Sequence, residues 1–326
     1  MKSKTINKVL CAKFDEWAAS IEDEALRQRV KKNTVITRGA IASMLLQEPV
    51  NDFDVYFKDW QTNHDVAQYY LKRFHLNNKS GIPCEISLKS QSTGGLFLEE
   101  PEFGKRIKIV VKSAGIASED GADAPYEYFE GSPDEHGAQY VSEVMGSAGD
   151  IEDRYEEVES GVLQAQEDNG KPKYRPVFVS SNAITLSNKI QIIIRFWGEP
   201  DQLHENYDFV HCTNYWTSWE RKVVLKEKAL ETLLTKELRY VGSKYPLCSV
   251  MRIRKFIQRG WTINAGQILK MLMQLNELDL CDPVVLEDQL TGVDSAYFAQ
   301  VISRLREKNP ERIESAYLIE IVNRMF

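Results

Sequence analysis

The chain has 326 residues, of which 43% are apolar and 10% aromatic; this composition excludes a wholly disordered protein, and the length favours two domains of ordinary size. No apolar run approaches the ~20 residues of a membrane span, and the first residues lack a signal peptide's apolar stretch. The five cysteines are scattered and match neither a disulfide framework nor a zinc site. Together these features predict a cytoplasmic protein. The net charge of −7 argues, as an average, against a nucleic-acid partner.

Alternating helical and strand patterns fill the chain from its start to Val111. Apolar residues near helical spacing predict one long helix over residues 6–32. Pro49 ends a helix predicted over Ala40–Gln47, and the alternating run Asp52–Phe57 predicts a strand. The remaining predicted elements here are strands at Thr34–Thr37, Cys84–Leu88 and Ile107–Val111 and a helix at His64–His75.

Residues 113–173 lose this periodicity and are rich in Gly, Ser, Asp and Glu. They predict a long insertion, either a solvated loop or a disordered segment. Within it, residues 119–168 carry sixteen acidic residues and one basic residue, a net charge of −15, whereas the rest of the chain carries +8. Because one acidic stretch masks a basic body, the net charge of the whole chain does not exclude RNA as a partner.

Regular patterns return after the insertion and become purely helical after about residue 226. The predicted strands are Pro176–Ser180, Ala183–Leu186, Ile190–Phe196 and Tyr207–His211, and the predicted helices are Glu199–Asn206, Glu227–Leu234, Leu247–Arg259, Ala265–Leu275, Ser295–Arg306 and Glu311–Arg324. We therefore predict an α+β protein, with a mixed sheet and flanking helices in residues 1–225 and an α-helical domain in residues 226–326.

One motif has the composition of a metal-binding or catalytic site. Asp52 and Asp54 form the D-x-D of the chain, and alternation places both carboxylates on one face of the predicted strand. Two such carboxylates repel each other unless a cation lies between them, and Mg²⁺ prefers oxygen ligands. Two solvent-facing aspartates on an amphipathic strand would give the same pattern. The histidines are scattered, and we assign structural roles to His204 and His211.

The sequence around the motif favours the functional interpretation. From Arg38 to Val55 the chain combines a turn, a helix, a proline stop and the acidic strand. This run resembles the signature of the DNA polymerase β-type nucleotidyltransferases, whose poly(A) polymerase and CCA-adding branches place a Gly-Gly or Gly-Ser turn and a helix before D-x-D. Arg38 stands where the first glycine usually lies, and Ala42-Ser43 replace the Arg-Asp pair of CCA-adding enzymes. The hairpin that ends in Ile190–Phe196 resembles that of viral and bacterial members, which implies a phage or bacterial protein.

The resemblance implies roles for individual residues. Asp52 and Asp54 would bind two Mg²⁺ ions, with Mn²⁺ as the alternative metal. A third carboxylate on a neighbouring strand would assist the metal near the acceptor hydroxyl, and Asp208, flanked by bulky apolar residues, is the candidate. The Gly39 turn, with Ser43 one helical turn later, would bind the phosphates of the NTP at a helix N-terminus.

The helical half contains a second candidate phosphate site. Arg252, Lys255 and Arg259 share one face of the predicted helix by their i, i+3, i+7 spacing. The stretch resembles the basic helix that follows the catalytic domain of poly(A) polymerase-like enzymes, which implies contact with the triphosphate or with RNA phosphates; an ordinary surface helix would have the same pattern. Arg38 would either add a cation to the phosphate site or point to solvent.

The predicted function is a metal-dependent nucleotidyltransferase that moves an NMP from an NTP to an acceptor hydroxyl and releases pyrophosphate. The basic body favours RNA as the acceptor, and the resemblance to RNA-extending members implies a tRNA 3′ end in particular. Tyr215 or Trp216 could stack on a base unless they pack in the core. Two alternatives stay open. Toxin-type relatives transfer an NMP to proteins through the same acids, and an inactive member would be a binding module whose acidic insertion imitates nucleic acid or holds a basic partner.

Overall fold

The computed structural model describes residues 2–77, 84–90, 105–111, 115–116, 173–179, 182–282, 285–286 and 289. The helices in this part of the chain are α1 (Ser3–Ala19), α2 (Glu24–Asn33), α3 (Gly39–Leu46), α4 (Trp60–Asn77), α5 (Pro200–His204), α6 (Glu227–Thr235), α7 (Pro246–Gln258) and α8 (Ala265–Asn276). The strands are β1 (Thr34–Thr37), β2 (Phe53–Phe57), β3 (Cys84–Ser90), β4 (Lys105–Val111), β5 (Gly115–Ile116), β6 (Pro176–Val179), β7 (Ala183–Leu186), β8 (Ile190–Trp197), β9 (Tyr215–Thr217), β10 (Lys222–Val224), β11 (Glu237–Leu238) and β12 (Thr262–Ile263). The predicted α+β class is confirmed.

Eight of the described strands form one mixed sheet in the order β10-β9-β1-β2-β8-β7-β6-β5. Strand β2 lies inside it, antiparallel to β1 and parallel to β8. Asp54 is paired in register with Thr37 of β1 and with Gln191 of β8. Since paired residues of neighbouring strands share a face, the side chains of these three residues lie on the same side of the sheet.

The opposite side of the sheet is the larger core. Helices α1 to α4 contribute to it, and large apolar side chains fill the space between them and the strands. Phe14 and Trp17 of α1 and Phe57 of β2 are completely or almost completely buried there. Trp17 Nε1 donates a hydrogen bond to the hydroxyl of Tyr70 at 2.9 Å, so both polar groups are satisfied inside the core. This cluster holds β2 from the face that does not carry Asp54.

The first two helices correct the prediction of a single helix over residues 6–32. The chain leaves α1 after Ala19, buries Ile21, and begins α2 at Glu24. The side chain of Asp23 accepts a hydrogen bond from the backbone N–H of Leu26 at 3.0 Å, which is the contact of an N-cap residue. A strong cap therefore starts a new helix inside a pattern that reads as continuous in the sequence.

The Asp54 side of the sheet is covered by residues from both predicted domains. Tyr56 of β2 and Ile193 of β8 share a buried cluster with Tyr207, Tyr245 and Cys248. A further buried cluster joins α3 to the helical half, through the buried side chains Ala42, Phe209, Leu233, Leu238, Tyr240, Trp261 and Met271. The helical half thus packs directly on the sheet in the described residues, and the proposed boundary at residues 225/226 stays a prediction.

The strand predicted at Tyr207–His211 is wrong. Backbone hydrogen bonds join this segment to the chain just before α7 instead of to the sheet: Val210 N–H donates to the carbonyl of Arg239 at 2.9 Å, and Val241 N–H donates to that of Asp208 at 2.8 Å. Within the segment, Phe209 makes a single β-bridge, and a 3₁₀ turn over Val210–Cys212 follows at once. These bonds occupy backbone groups that a regular ladder with the sheet would need.

Other predicted strands and helices within the described residues are confirmed, with ends that shift by a few residues. The short strands β5, β9, β10, β11 and β12 were not predicted, and β11 and β12, which pair in parallel, correct the prediction of a purely helical chain after about residue 226. The acidic insertion at 113–173, apart from residues 115–116 and 173, lies outside the described residues, and so do the helices predicted at 295–306 and 311–324. Among the described residues, no helix combines the length and apolar character needed to cross a membrane.

Candidate active site

The two acids of the D-x-D motif lie at the start of β2. Asp52 directly precedes this strand and is half-buried, whereas Asp54, its second residue, is only 6% exposed. Burial raises the pKa of the Asp52 carboxyl, against the opposing positive charges of Arg38 and Lys255. A carboxylate as enclosed as Asp54 is stable only with partners, so the structure excludes a solvent-facing position for Asp54. The metal-binding role of the pair stays a prediction.

Arg38 is half-buried, and its guanidinium lies against two tyrosine rings of the site. Its guanidinium carbon lies 5.5 Å from the ring centroid of Tyr56 and 5.0 Å from that of Tyr207. Burial opposes the charge of the guanidinium, but Tyr56 and the carboxylates of Asp54 and Asp208 prevail and raise the pKa of Arg38 above its ordinary value. Arg38 is therefore a resident cation beside the acids.

The backbone of Arg38 has a conformation that normally requires glycine. Its φ of 66° and ψ of −138°, at the N-cap of α3, lie in a region that L side chains rarely adopt. Such a residue costs on the order of 1–3 kcal/mol and persists only where its surroundings enforce it. The turn thus has the shape that the glycine signature implies, although an arginine occupies it.

The beginning of α3 leaves room for an anion. Gly39 is its first residue and is exposed, and a Cβ atom built there would meet no other atom within 4 Å. Ser43 follows one turn later and is half-buried. The unpaired N–H groups of a first helical turn attract phosphate, so this end of α3 keeps its predicted role as a hypothesis.

Asp208 reaches the site from the bend after α5. Its carboxylate Oδ2 accepts a hydrogen bond from Arg252 Nη1 of α7, and the two side chains form an ion pair that is 10% exposed on the acid and 33% on the base. Burial alone would raise the pKa of Asp208, but the charge and hydrogen bond of Arg252 lower it below the ordinary value. Asp208 therefore lies near Arg38 and Arg252 without belonging to a neighbouring strand.

Helix α7 contributes two of its three predicted basic residues to the site. Arg252 pairs with Asp208, and the charge of Lys255 acts on Asp52. Arg259 directly follows the last residue of α7 and is exposed, and no ion pair joins it to an acid within the described residues. Its predicted contact with phosphate stays a prediction.

The donor set fits one divalent ion better than two. The carboxylates of Asp52 and Asp54 are the hard oxygen ligands that Mg²⁺ and Mn²⁺ prefer. Asp208, the predicted third ligand, is paired with Arg252, and no group of three or more potential metal ligands occurs among the residues that the structure describes. The prediction of two ions stays untested for the chain as a whole.

Comparison with known proteins gives a family. Residues 8–236 match the family model described as Gabija anti-defense 2 family protein, Gad2, which is more than half of the chain. The chain belongs to this family. A solved structure described as a tRNA-processing enzyme with CTP is similar at 9% identity and a TM-score of 0.34, over 84% of this chain and 52% of the other. The Gad2-family chain thus spans about half the length of that structure. No curated protein matches this chain.

A buried histidine of this Gad2-family protein, His211, lies near enough to Asp208 to be affected by its charge. The ring of His211 packs on those of Trp261, Phe256 and Phe209, at centroid distances of 4.5, 4.9 and 6.0 Å. Its Nδ1 atom is buried without a hydrogen-bond partner in the described part of the chain. Burial lowers the pKa of His211 from 6.5 to about 4, although Asp208 opposes the shift. A histidine in this environment is neutral at neutral pH. Its structural role stays a prediction.

The neutral state of His211 makes the fold sensitive to acid. The unfolded chain takes up a proton below about pH 6.5, whereas the folded chain does so only near pH 4, so stability is complete above pH 6.5 and falls as the pH drops. His211→Phe keeps the ring contacts and removes this proton, and should reduce the stability lost between pH 7.5 and pH 5 by about 2 kcal/mol. Urea denaturation at both pH values measures the free energy of unfolding that each protein loses. An equal loss in wild type and in His211→Phe would contradict the prediction.

Tyr215 and Trp216 have different surroundings. Trp216 is completely buried, and its ring lies 5.1 Å from that of Phe14, so it belongs to the core. Tyr215 is half-buried, in register with Thr37 of β1, and a base-stacking role for it stays a prediction. His204 lies beside it, with Nε2 3.3 Å from the hydroxyl oxygen of Thr37, in a structural position.

The structure adds residues that the motif search missed. Tyr56 and Tyr207 hold Arg38, and Gln191 stands beside Asp54 on β8, the strand that pairs with β2. Alternation from Asp54 would have identified Tyr56 as a neighbour, since both lie on one face of β2. Nothing in the local sequence pairs Gln191 with Asp54, because that register depends on β2 and β8, which are distant in the chain and meet only in the fold.

Proposed function

We propose that this chain is a nucleotidyltransferase that moves a nucleoside monophosphate from an NTP to an acceptor hydroxyl and releases pyrophosphate. In keeping with the family's description, this activity would act against the Gabija defence. The observation that supports it best is that Arg38, at the N-cap of α3, lies close enough to Asp52 and Asp54 at the start of β2 for its charge to act on both carboxyls. The sequence signature of the superfamily covers the same residues.

The charges of the site suit a nucleotide. Three carboxylates (Asp52, Asp54 and Asp208) lie among three cations (Arg38, Arg252 and Lys255), so the cluster balances its own charge. A triphosphate is strongly anionic and would draw Arg38 and Lys255 to its phosphate oxygens, whereas a divalent ion would draw the carboxylates of Asp52 and Asp54. Exchange of partners within this cluster would therefore let an NTP and its ion bind together.

Asp52 and Asp54 are the residues that would hold Mg²⁺ or Mn²⁺, which neutralises charge at the phosphates when it is bound. The first turn of α3, from Gly39, would orient the terminal phosphates through its backbone N–H groups. Lys255 would approach the triphosphate from α7, and Arg252 would face it while it stays paired with Asp208. Positioning and charge stabilisation of this kind are most of what the protein supplies in phosphoryl transfer.

RNA is the acceptor that the charge distribution favours. Outside residues 119–168 the chain carries a net charge of +8, and RNA binding depends largely on phosphate contacts with lysine and arginine. A tRNA 3′ end is the form that the sequence resemblance implies, and a protein acceptor is the alternative outcome of the test below.

Labelling tests the acceptor and the activity together. Wild-type protein is incubated with each α-labelled NTP, Mg²⁺ or Mn²⁺, total bacterial RNA and total bacterial protein. We expect label in the RNA pool, with one NTP preferred, and none with the Asp54→Asn variant. Label in the protein pool alone would replace RNA by a protein acceptor, and no label in either pool would contradict the activity.

A non-catalytic binding module is the second candidate, and one observation favours it. Arg38 occupies the glycine position of the signature, and Asp208 is already paired with Arg252. Thermal unfolding with each NTP and Mg²⁺ separates the two functions. An enzyme should be stabilised by its NTP in the presence of the ion, whereas a module that has lost nucleotide binding should show no change in melting temperature.

A further inference from the structure

The Arg38 guanidinium is held in the site from several directions. The rings of Tyr56 and Tyr207 lie within 5.5 Å of it, and the carboxylates of Asp54 and Asp208 act on it electrostatically. Tyr56 and Tyr207 are themselves buried, with their ring centroids 6.2 Å apart. Cation–π contact and nearby carboxylates are both interactions that stabilise a guanidinium away from water.

The backbone shows that this placement is enforced. Arg38 has a φ of 66°, a value that glycine adopts freely and arginine does not. Arg38 is the N-cap residue of α3, directly before the exposed Gly39. The favourable contacts of the side chain offset a backbone conformation that only glycine takes without strain.

From these contacts we propose that Arg38 takes the charge role of one of two divalent ions, so that the site binds its nucleotide with a single divalent ion held by Asp52 and Asp54. The inference rests on the proposed nucleotide site. A second divalent ion would be repelled by the guanidinium beside Asp54.

The state of Asp208 leads independently to the same conclusion. A second ion needs a third carboxylate, but Asp208 is paired with Arg252, and the strand next to Asp54 offers the neutral Gln191. Among the described residues, no three potential ligands lie close enough to form a metal site. Two arginines therefore neutralise acids that two-ion enzymes use for metal.

Counting bound Mn²⁺ tests the proposal without any turnover. Electron paramagnetic resonance measures free Mn²⁺ in the presence of an α,β-methylene analogue of the preferred NTP, and the difference from total Mn²⁺ gives the ions bound per chain. We expect one ion for wild type and for Arg38→Lys, which keeps the charge. We expect two ions for Arg38→Gly and Arg38→Met, which remove it.

The variants separate charge from backbone strain. Arg38→Gly removes both, whereas Arg38→Met removes only the charge and keeps a side chain that can pack on the tyrosines. Arg254→Met, on the exposed side of α7, is the matched control for loss of an arginine and should keep one ion. Thermal unfolding of each variant verifies that the protein is folded. Because Arg38→Gly and Arg38→Met both remove the charge, the test still gives a result if one of them does not fold.

Two ions bound by wild type, or one ion bound by a folded Arg38→Met protein, would overturn the proposal. If neither wild type nor any variant binds the nucleotide analogue, the proposed function is wrong. Titration of Mn²⁺ without nucleotide then tests the role of Arg38 separately. At least a tenfold tighter Mn²⁺ binding by Arg38→Met than by wild type would support the resident cation, and equal binding would refute it.

Discussion

Asp54→Asn should lower the rate of nucleotidyl transfer at least about 100-fold, the size of effect seen when one group that stabilises charge in a reaction is removed. Asp54 is the most enclosed of the predicted ligands, at 6% exposure, and lies between Thr37 and Gln191 on the sheet. The neutral amide has almost the same shape but cannot hold a divalent ion beside Arg38. Incorporation of α-labelled NTP into the acceptor pool, at saturating NTP, measures the loss.

A loss of folding must be excluded before this result is interpreted. Asp15→Asn removes an acid that pairs with Arg221 on the surface, and should leave transfer unchanged within a factor of two. Asp52→Ala should abolish transfer as Asp54→Asn does. Retained activity in either motif variant, with wild-type thermal unfolding, would contradict the assignment of the site.

The unit from β1 to β2 could be predicted from the sequence because it is local. Thr34–Thr37, the helix that Pro49 follows and the strand with Asp52 and Asp54 are consecutive in the chain, and their patterns determine which face each acid occupies. The same locality explains why Asp54 and Arg38 were both identified as candidates. Over so short a stretch, strand register and turn geometry leave few alternative pairings of β1 with β2.

The remainder of the site depends on contacts between distant residues. Asp208 is enclosed, as its apolar neighbours in the sequence predict, but the strand predicted around it was wrong because its backbone carbonyl accepts a hydrogen bond from Val241, a partner that no local pattern indicates. The direction of Arg38 depends on Tyr207, which follows only after the whole acidic insertion and the strands behind it. Local sequence patterns do not determine contacts of this kind, since tertiary packing selects among several allowed arrangements.

Arg252→Met should lower the free energy of unfolding at pH 7 by about 3 kcal/mol, the lower end of the cost of breaking a buried ion pair. The variant leaves the Asp208 carboxylate, which is 10% exposed, without its cation. Asp208→Asn should cost less, because the remaining Arg252 is 33% exposed and can reach water. Urea denaturation of the two single variants and the double variant measures the coupling between the residues.

The pH dependence of the stability lost in Arg252→Met shows whether the ion pair with Asp208 is the cause. Arg252 lowers the pKa of Asp208 in the folded chain, so the pair stabilises the fold above the ordinary carboxyl pKa of 3.8, and this stabilisation disappears as the pH falls through the lower folded value. In Arg252→Met, burial without a cation raises the pKa of Asp208, and protonation removes the buried charge at a higher pH than in wild type. The difference in stability should therefore shrink as the pH falls from 7 towards 4, whereas a difference that stays constant would mean that Arg252 contributes through packing alone.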